Sequence, residues 1–516
     1  MPSNQSIRLT ITVLIALTLL LFQQLTGQAR PVSQAAAFSA DADRYIQETL
    51  AAFPMVPGIV IAVVRGEETV YAKGFGLADV GASVAATAET DYYIASSTKS
   101  FTSLAAALLH AQGKLDLDRS LQSYLPEVVF DSAIEADSIT LRDLLTHSAG
   151  ISNDAIVFRT AISGEHTRAD LLHAMSATEV QSRAPRGEFR YTNLGYNIVS
   201  VILDREAGMP WQDLLATTVF EPAGLDRTTA YASVPLREGW PVARPYWGTT
   251  EGEMERLYLE KQDNTMQAAG GMYSTAQDLG RWVALQLNDG ELDGRQIFPA
   301  DVIRETHRPH VETDTEFGPY ERKGGYGLGW YIGGYDGKIL IHHFGGFAGW
   351  RSHVSFMPEY GVGVVVLANQ APVASSLTDL FATYAYDWWL DRDSLAQVYT
   401  TKRDELAERA VDRRKRVEAD LARRSKREWT LTEPLEAYTG TYRSDLYGTL
   451  TITIEDDVLA ASIGNLHAVS TPFTRPNTIR VELIPKSGQV IGFTIEDGAV
   501  VQARASGADF QKVASE

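Results

Sequence analysis

There is no cysteine among the 516 residues. That excludes disulfides, zinc–thiolate sites, a thiol nucleophile and a bacterial lipoprotein anchor, so the core alone must hold the fold. Positive charge is also short: 46 lysines and arginines against 65 aspartates and glutamates leave a formal net charge of −19. A nucleic-acid partner usually meets a basic face, so none is expected. Long apolar runs are scarce as well. Residues 9–22, behind Arg8, form an apolar run too short for a membrane span and are followed by Thr26, Gly27 and Ala29. This predicts a signal peptide over residues 1–29 and export to the periplasm or beyond, with an uncleaved N-terminal anchor as the alternative. Cofactor and metal signatures are missing too. Gly74-Phe75-Gly76 has no third glycine and no following helix, so it is not a dinucleotide fingerprint. His307, His310, His342 and His343 have no His-Glu-x-x-His helix and no acidic residue completing a ligand set. Neither metal nor cofactor is expected.

What is present is a globular composition, 45% hydrophobic, in a chain too long for one ordinary core. A main domain is expected over residues 38–392. A charged helical linker follows over 393–433, where both signs are dense around a thin apolar stripe of Leu406, Ala410, Val417 and Leu421. Beyond Pro434 short alternating strands separated by turns predict a small antiparallel barrel over 434–516, folding as a unit of its own.

Within the main domain, residues 41–53 suit an amphipathic helix. Residues 57–64 and 69–76 suit a hairpin leading toward Tyr93-Ile94-Ala95-Ser96-Ser97-Thr98-Lys99. Ser96 and Lys99 are three apart at a predicted helix entry, so both side chains share one face. A serine hydroxyl is a weak nucleophile until a base takes its proton, and a lysine kept neutral by burial can be that base. Phe101, Leu104, Leu108 and Leu109 at helical spacing, with alanines between, predict a buried helix behind the pair. His147 ends a short Thr140-capped helix and suits packing or capping better than catalysis. Tyr191 and Asn193, two apart, can bring a phenol and an amide into one cleft. Strands are expected over 339–343, 352–357 and 363–369, with His343 and Gly345 at the end of the first. Glycine there lets a substrate backbone approach a strand edge.

Ser96-Ser97-Thr98-Lys99, Tyr191-Thr192-Asn193 and His343-Phe344-Gly345 stand in one order. Between and around them lie Leu144-Leu145-Thr146-His147-Ser148-Ala149-Gly150, Gly270-Gly271-Met272-Tyr273-Ser274-Thr275 and Tyr326-Gly327-Leu328-Gly329-Trp330. Together they resemble the serine beta-lactamase-related family, which includes AmpC-type beta-lactamases, penicillin-binding DD-peptidases, D-aminopeptidases and family VIII esterases. The tail from Leu435 resembles the lipocalin-like domain that many of them carry. The resemblance implies an α+β fold, an antiparallel sheet flanked by helices beside an all-helical lobe, with the site between. It implies Ser96 as acylated nucleophile, Lys99 as its proton partner, and Tyr191 as base with Lys99 and then acid. Asn193, His343 and Gly345 would bind substrate, and the backbone N–H groups of Ser96 and Gly346 would form an oxyanion hole. His343 departs from the lysine usual there, which weakens a claim of true beta-lactamase activity. The resulting expectation is an exported serine hydrolase acting on an ester or a D-amino-acid or peptidoglycan-like amide. The rival is a penicillin-binding sensor or scaffold with little turnover.

Overall fold

The computed structural model describes residues 34–514, apart from 251, 252 and 315. The expected signal segment, residues 1–29, lies outside the described residues. Residues 34–52 are a single helix within a compact unit of their own; Phe53 onward makes the second unit. Among the described residues, no helix is long and apolar enough to cross a membrane.

The second unit is organised on an antiparallel sheet of eight described strands. Their order is Glu321–Tyr326, Tyr331–Tyr335, Lys338–Phe347, Trp350–Met357, Val362–Ala368, Gly58–Arg65, Glu68–Asp79 and Val84–Ala85. The sequences GIVIAVVR and VGVVVLA are almost continuously apolar, which suits strands covered on both faces, and they sit side by side at the centre. Glu68–Asp79 alternates in burial and lies toward one edge. One face carries the helix Ala276–Leu287, capped by the Thr275 hydroxyl accepting from the Asp278 N–H at 3.0 Å. Its Val283 lies so close that a Cβ on Gly363 would sit 2.1 Å away. The other face carries Ala374–Trp389, where the Tyr386 phenol meets the buried Ser355 hydroxyl at 2.6 Å.

Register leaves one consequential gap. Tyr331–Tyr335 pairs only with residues 338–342 of the long strand Lys338–Phe347. Residues 343–347 therefore have a ladder partner on one side only, Trp350–Met357. The helical lobe stands beside this free edge, with Thr98–Ala111 and Leu194–Ala207 as its longest helices there. Thr98–Ala111 follows a single 3-10 turn, Ala95–Ser97, and is buried from Thr98 to Leu109, as an all-round apolar pattern requires.

The linker helix runs over Leu395–Arg424 and buries only Tyr399. That phenol donates to Asp387 Oδ2 at 2.7 Å, pinning the helix start to Ala374–Trp389. The C-terminal part is a nearly closed antiparallel barrel of nine strands. Its two edge strands, Leu466–Val469 and Thr471–Pro472, are consecutive in the chain, so the sheet curls back on itself. The barrel does not hang free. Phe158 and Leu259 of the main domain belong to its core cluster. Arg159 Nε donates to the Leu446 carbonyl at 2.5 Å, the Asn465 N–H to the Ser163 carbonyl at 2.7 Å, and the Thr449 N–H to Glu165 Oε1 at 3.1 Å.

Candidate active site

From Asp91 to Leu109 every residue is buried except Ser96. The strand Tyr92–Tyr93 delivers the chain, and Ala95 turns it through a left-handed φ of 46° that a side chain rarely adopts. Lys99 follows one turn later with its amine fully covered. Its Nζ donates to Ser96 Oγ at 3.3 Å, to Asn193 Oδ1 at 2.9 Å and to the Ala269 carbonyl at 2.6 Å. It stands over the rings of Tyr191 at 5.0 Å and Tyr196 at 5.3 Å. No carboxylate pairs with it among the described residues, and burial holds the amine well below the usual lysine range. The lysine is thus poised to lose its proton, with a hydroxyl among its three neighbours.

Tyr191 lies on the loop before Leu194–Ala207 and keeps 38% of its surface exposed. Burial of its hydroxyl end raises the phenol, and a hydrogen bond with the Ser96 hydroxyl offsets part of that rise. A phenol raised in this way stays protonated, so it suits a proton relay or acid better than an anionic base. Asn193 stands at the helix N-cap, yet its side chain makes no cap bond; its oxygen goes to Lys99 instead.

His343 is buried at the start of the free edge. Its Nδ1 meets the Phe344 carbonyl at 3.0 Å and its Nε2 the Tyr326 hydroxyl at 3.2 Å. A carbonyl can only accept, so Nδ1 carries the proton and Nε2 accepts from the phenol. Burial, with Lys99 nearby, lowers the imidazole to about 3, so His343 is neutral at ordinary pH. Gly345 could not be another residue: an added Cβ would sit 2.1 Å from the Ile94 carbonyl and 2.3 Å from Ser352 Oγ. Gly346 is exposed on the free edge. The structure therefore brings Ser96, Lys99, Tyr191 and Asn193 into direct contact, and sets His343, Gly345 and Gly346 on the strand that flanks them.

Ser97, the neighbour of Ser96, turns inward. Its hydroxyl donates to the His343 carbonyl at 3.1 Å and meets Ser352 Oγ at 2.8 Å, stapling the helix entry to the edge strand. His147 is packed rather than free. It has a left-handed φ of 60°, its ring lies 4.4 Å from that of Tyr191, and its Nδ1 accepts from the Thr192 N–H at 3.4 Å.

Two contributors and one look-alike escaped sequence reasoning. The Ala269 carbonyl is backbone and has no side-chain signal. Tyr326 opens the glycine-rich stretch Tyr326-Gly327-Leu328-Gly329-Trp330, but its bond to His343 depends on a register no spacing reveals. A line of half-buried Asp379 and buried His353 and Ser355 has contacts of 3.2 and 2.6 Å, the geometry of a catalytic triad. Ser355 is wholly buried and also meets Tyr386, so no substrate reaches it. Among the described residues no group of three or more His, Cys, Asp or Glu is placed to hold a metal. His307 meets Gln286 Oε1 at 2.9 Å, and His342 stacks on Phe344 with ring centroids 4.4 Å apart.

The family model described as Beta-lactamase matches residues 43–386. Protein flp of Staphylococcus aureus (strain NCTC 8325 / PS 47) is 24% identical over 319 residues, covering 61% of this chain and 60% of that protein. The match therefore spans about three-fifths of the length of that relative. Unguisins hydrolase ungD of Aspergillus violaceofuscus (strain CBS 115571) is 25% identical over 479 residues, covering 86% of this chain and 80% of that protein. Two solved structures share the fold. The octameric penicillin-binding protein homologue from Pyrococcus abyssi has a TM-score of 0.58 at 23% identity, covering 92% of this chain and 99% of that one. EstCE1, a hydrolase with promiscuous acyltransferase activity, has a TM-score of 0.54 at 20% identity, covering 66% and 95%.

Proposed function

The chain belongs to the beta-lactamase family, and from that premise we propose that it is an exported serine hydrolase working through an acyl-enzyme on Ser96. The substrate is an ester, or an amide of a D-amino acid or peptidoglycan-like peptide. One observation carries this reading: Ser96 is the single uncovered residue of a buried run, 3.3 Å from a buried amine that has no carboxylate partner among the described residues. The hydrolases among its relatives support the reaction class.

Lys99, once neutral, takes the Ser96 proton as Oγ bonds to the substrate carbonyl carbon and the carbonyl electron pair moves onto oxygen. The N–H groups of Ser96 and Gly346 stabilise that oxyanion. As the bond to the leaving group breaks, Tyr191 gives it a proton and recovers one from Lys99. Lys99 then takes a proton from water as the water oxygen attacks the ester on Ser96, and returns it to Oγ as that bond breaks and the acid departs. Asn193 holds Lys99 through its oxygen and offers its Nδ2–H to the substrate carbonyl. His343, neutral and already bonded at both nitrogens, offers no cation to a substrate carboxylate. That favours uncharged esters over beta-lactams and D-alanyl peptides.

The test is a fluorophosphonate probe on the purified protein, with short p-nitrophenyl esters, nitrocefin and D-alanyl peptides compared beside it. The adduct should map to Ser96, Ser96→Ala should lose both labelling and turnover, and kcat/KM for the best ester should exceed that for nitrocefin. An adduct on any other residue overturns the assignment. One equivalent of acylation without turnover favours the penicillin-binding sensor.

A further inference from the structure

Four partly exposed apolar residues pack on one or both of two cores, that of the main domain and that of the barrel, and one of them directly follows Gly346. Phe347 is next on the free edge. His343, Gly345 and Phe347 alternate onto one face, the one on which Gly345 meets Ile94. The Phe347 ring stands edge-on to Tyr93 at 5.7 Å, three residues before Ser96. Ile162 comes from the π-helical turn Arg159–Ser163. Phe347 and Ile162 each pack against both the main-domain core and the barrel core. Ala348 packs on the barrel core, while Leu446, on the first hairpin of the barrel, packs against the main-domain core. The hairpin is held in place: Arg159, only 5% exposed, donates to the Leu446 and Asp445 carbonyls. Half-exposed apolar surface gains free energy when an apolar group covers it.

We propose that Phe347, Ile162, Ala348 and Leu446 form a subsite, built jointly by the main domain and the barrel, that takes an apolar acyl group of the substrate. This rests on Ser96 being the acylated residue, and it adds what the barrel is for. The barrel supplies one wall of the acyl pocket and so sets the preferred acyl length.

The test uses the full chain and p-nitrophenyl acetate, butyrate, hexanoate and octanoate, read as p-nitrophenol release in burst or turnover. Fluorophosphonate labelling of Ser96 is measured alongside, so that failure of the serine assignment shows separately. Wild-type kcat/KM should rise with acyl length. In Leu446→Ala the hexanoate-to-acetate ratio should fall roughly tenfold, the scale of a methylene or two lost from an apolar pocket. In Leu446→Trp the optimum should move to a shorter chain. Ile454→Ser, at the far end of the strand that begins at Gly448, should keep the wild-type ratio. If both Leu446 variants melt cooperatively, label at Ser96 and keep the wild-type length profile, the subsite is refuted.

Discussion

At the scale of residues, Ser96 and Ser97 show how position rather than type decides a role. The two are chemically identical and adjacent, but one faces the lysine and the other is sealed between a carbonyl and Ser352. Ser97→Ala removes a buried hydroxyl with two partners, which should cost about 1–3 kcal/mol of stability. Ser96 should still take the fluorophosphonate. A lower denaturation midpoint with labelling retained is the expected pair of results; loss of labelling in a folded Ser97→Ala protein would reverse the two roles. Lys99 yields a prediction about pH. Only its neutral form can accept a proton, and burial lowers its pKa well below the usual lysine range. The labelling rate should therefore rise with pH along a limb well below pH 10. A limb at about 10.4, the value of an unperturbed lysine, would show that the amine is not buried as described. Strain gathers at the same place. Ala95, His147, Met266 and Gln267 all hold positive φ without being glycine, and Met266 and Gln267 lead into the Ala269 carbonyl that holds Lys99. Such conformations survive only where surrounding contacts impose them.

At the scale of elements, the site depends on how closely the edge strand approaches the helix entry. Gly345 sets that distance. Gly345→Ala would place a methyl against the Ile94 carbonyl, which is backbone and cannot step aside. The strand should move outward, taking Gly346 with it, and acylation of Ser96 should slow by on the order of 10²-fold or more, the cost of displacing one oxyanion donor. A folded Gly345→Ala protein that labels at the wild-type rate would separate the strand from the chemistry. Much of this element structure was legible beforehand. The central strands announced themselves as nearly continuous apolar runs, and the Thr140 cap stood in plain sight. Barrel strands such as Gly448–Glu455 and Val458–Ile463 fell where alternation placed them. Leu466–Val469, Thr471–Pro472 and Ala508–Lys512 did not, because two to five residues give a period of two little room to register. Leu121–Tyr124 is a helix of one turn, held by the Ser120 cap and too short for periodicity to announce. The linker helix begins at Leu395, where the Tyr399–Asp387 bond reaches across to another helix. Within the site, side chains carried by motifs were readable. The Ala269 carbonyl, the Tyr326–His343 bond and the neutral state of His343 were not, since each is a product of packing.

At the scale of the whole molecule, the barrel and the main domain share apolar surface, and one buried cation locks the seam. Arg159 donates to three carbonyls, those of Leu446, Asp445 and Glu165, and lies 3.8 Å from Asp170 Oδ1. Glu165 in turn accepts the Thr449 N–H, so the two residues clamp the first hairpin of the barrel from both ends. The same turn reaches the Ser96–Lys99 pair by a short route. The Thr160 carbonyl accepts the Met266 N–H at 2.5 Å, and Met266 opens the segment that ends at Ala269 and the Lys99 amine. A chain ending near Arg392 would expose Phe158, Leu259 and Phe347 together and confuse lost docking with lost solubility. Arg159→Ala in the full chain isolates the seam. It leaves three carbonyls without their donor and should lower stability by about 2–4 kcal/mol, within the range for breaking buried charge-assisted bonds. Amide exchange should speed up first at Asn465 and Thr449, whose N–H groups bond across the seam, while Ile61 and Val365 in the central sheet stay protected. Labelling of Ser96 should slow as the Met266–Ala269 segment loosens. Exchange that accelerates equally across the central sheet and the seam would mean that Arg159 serves the whole fold and that the barrel is not a separable wall of the site.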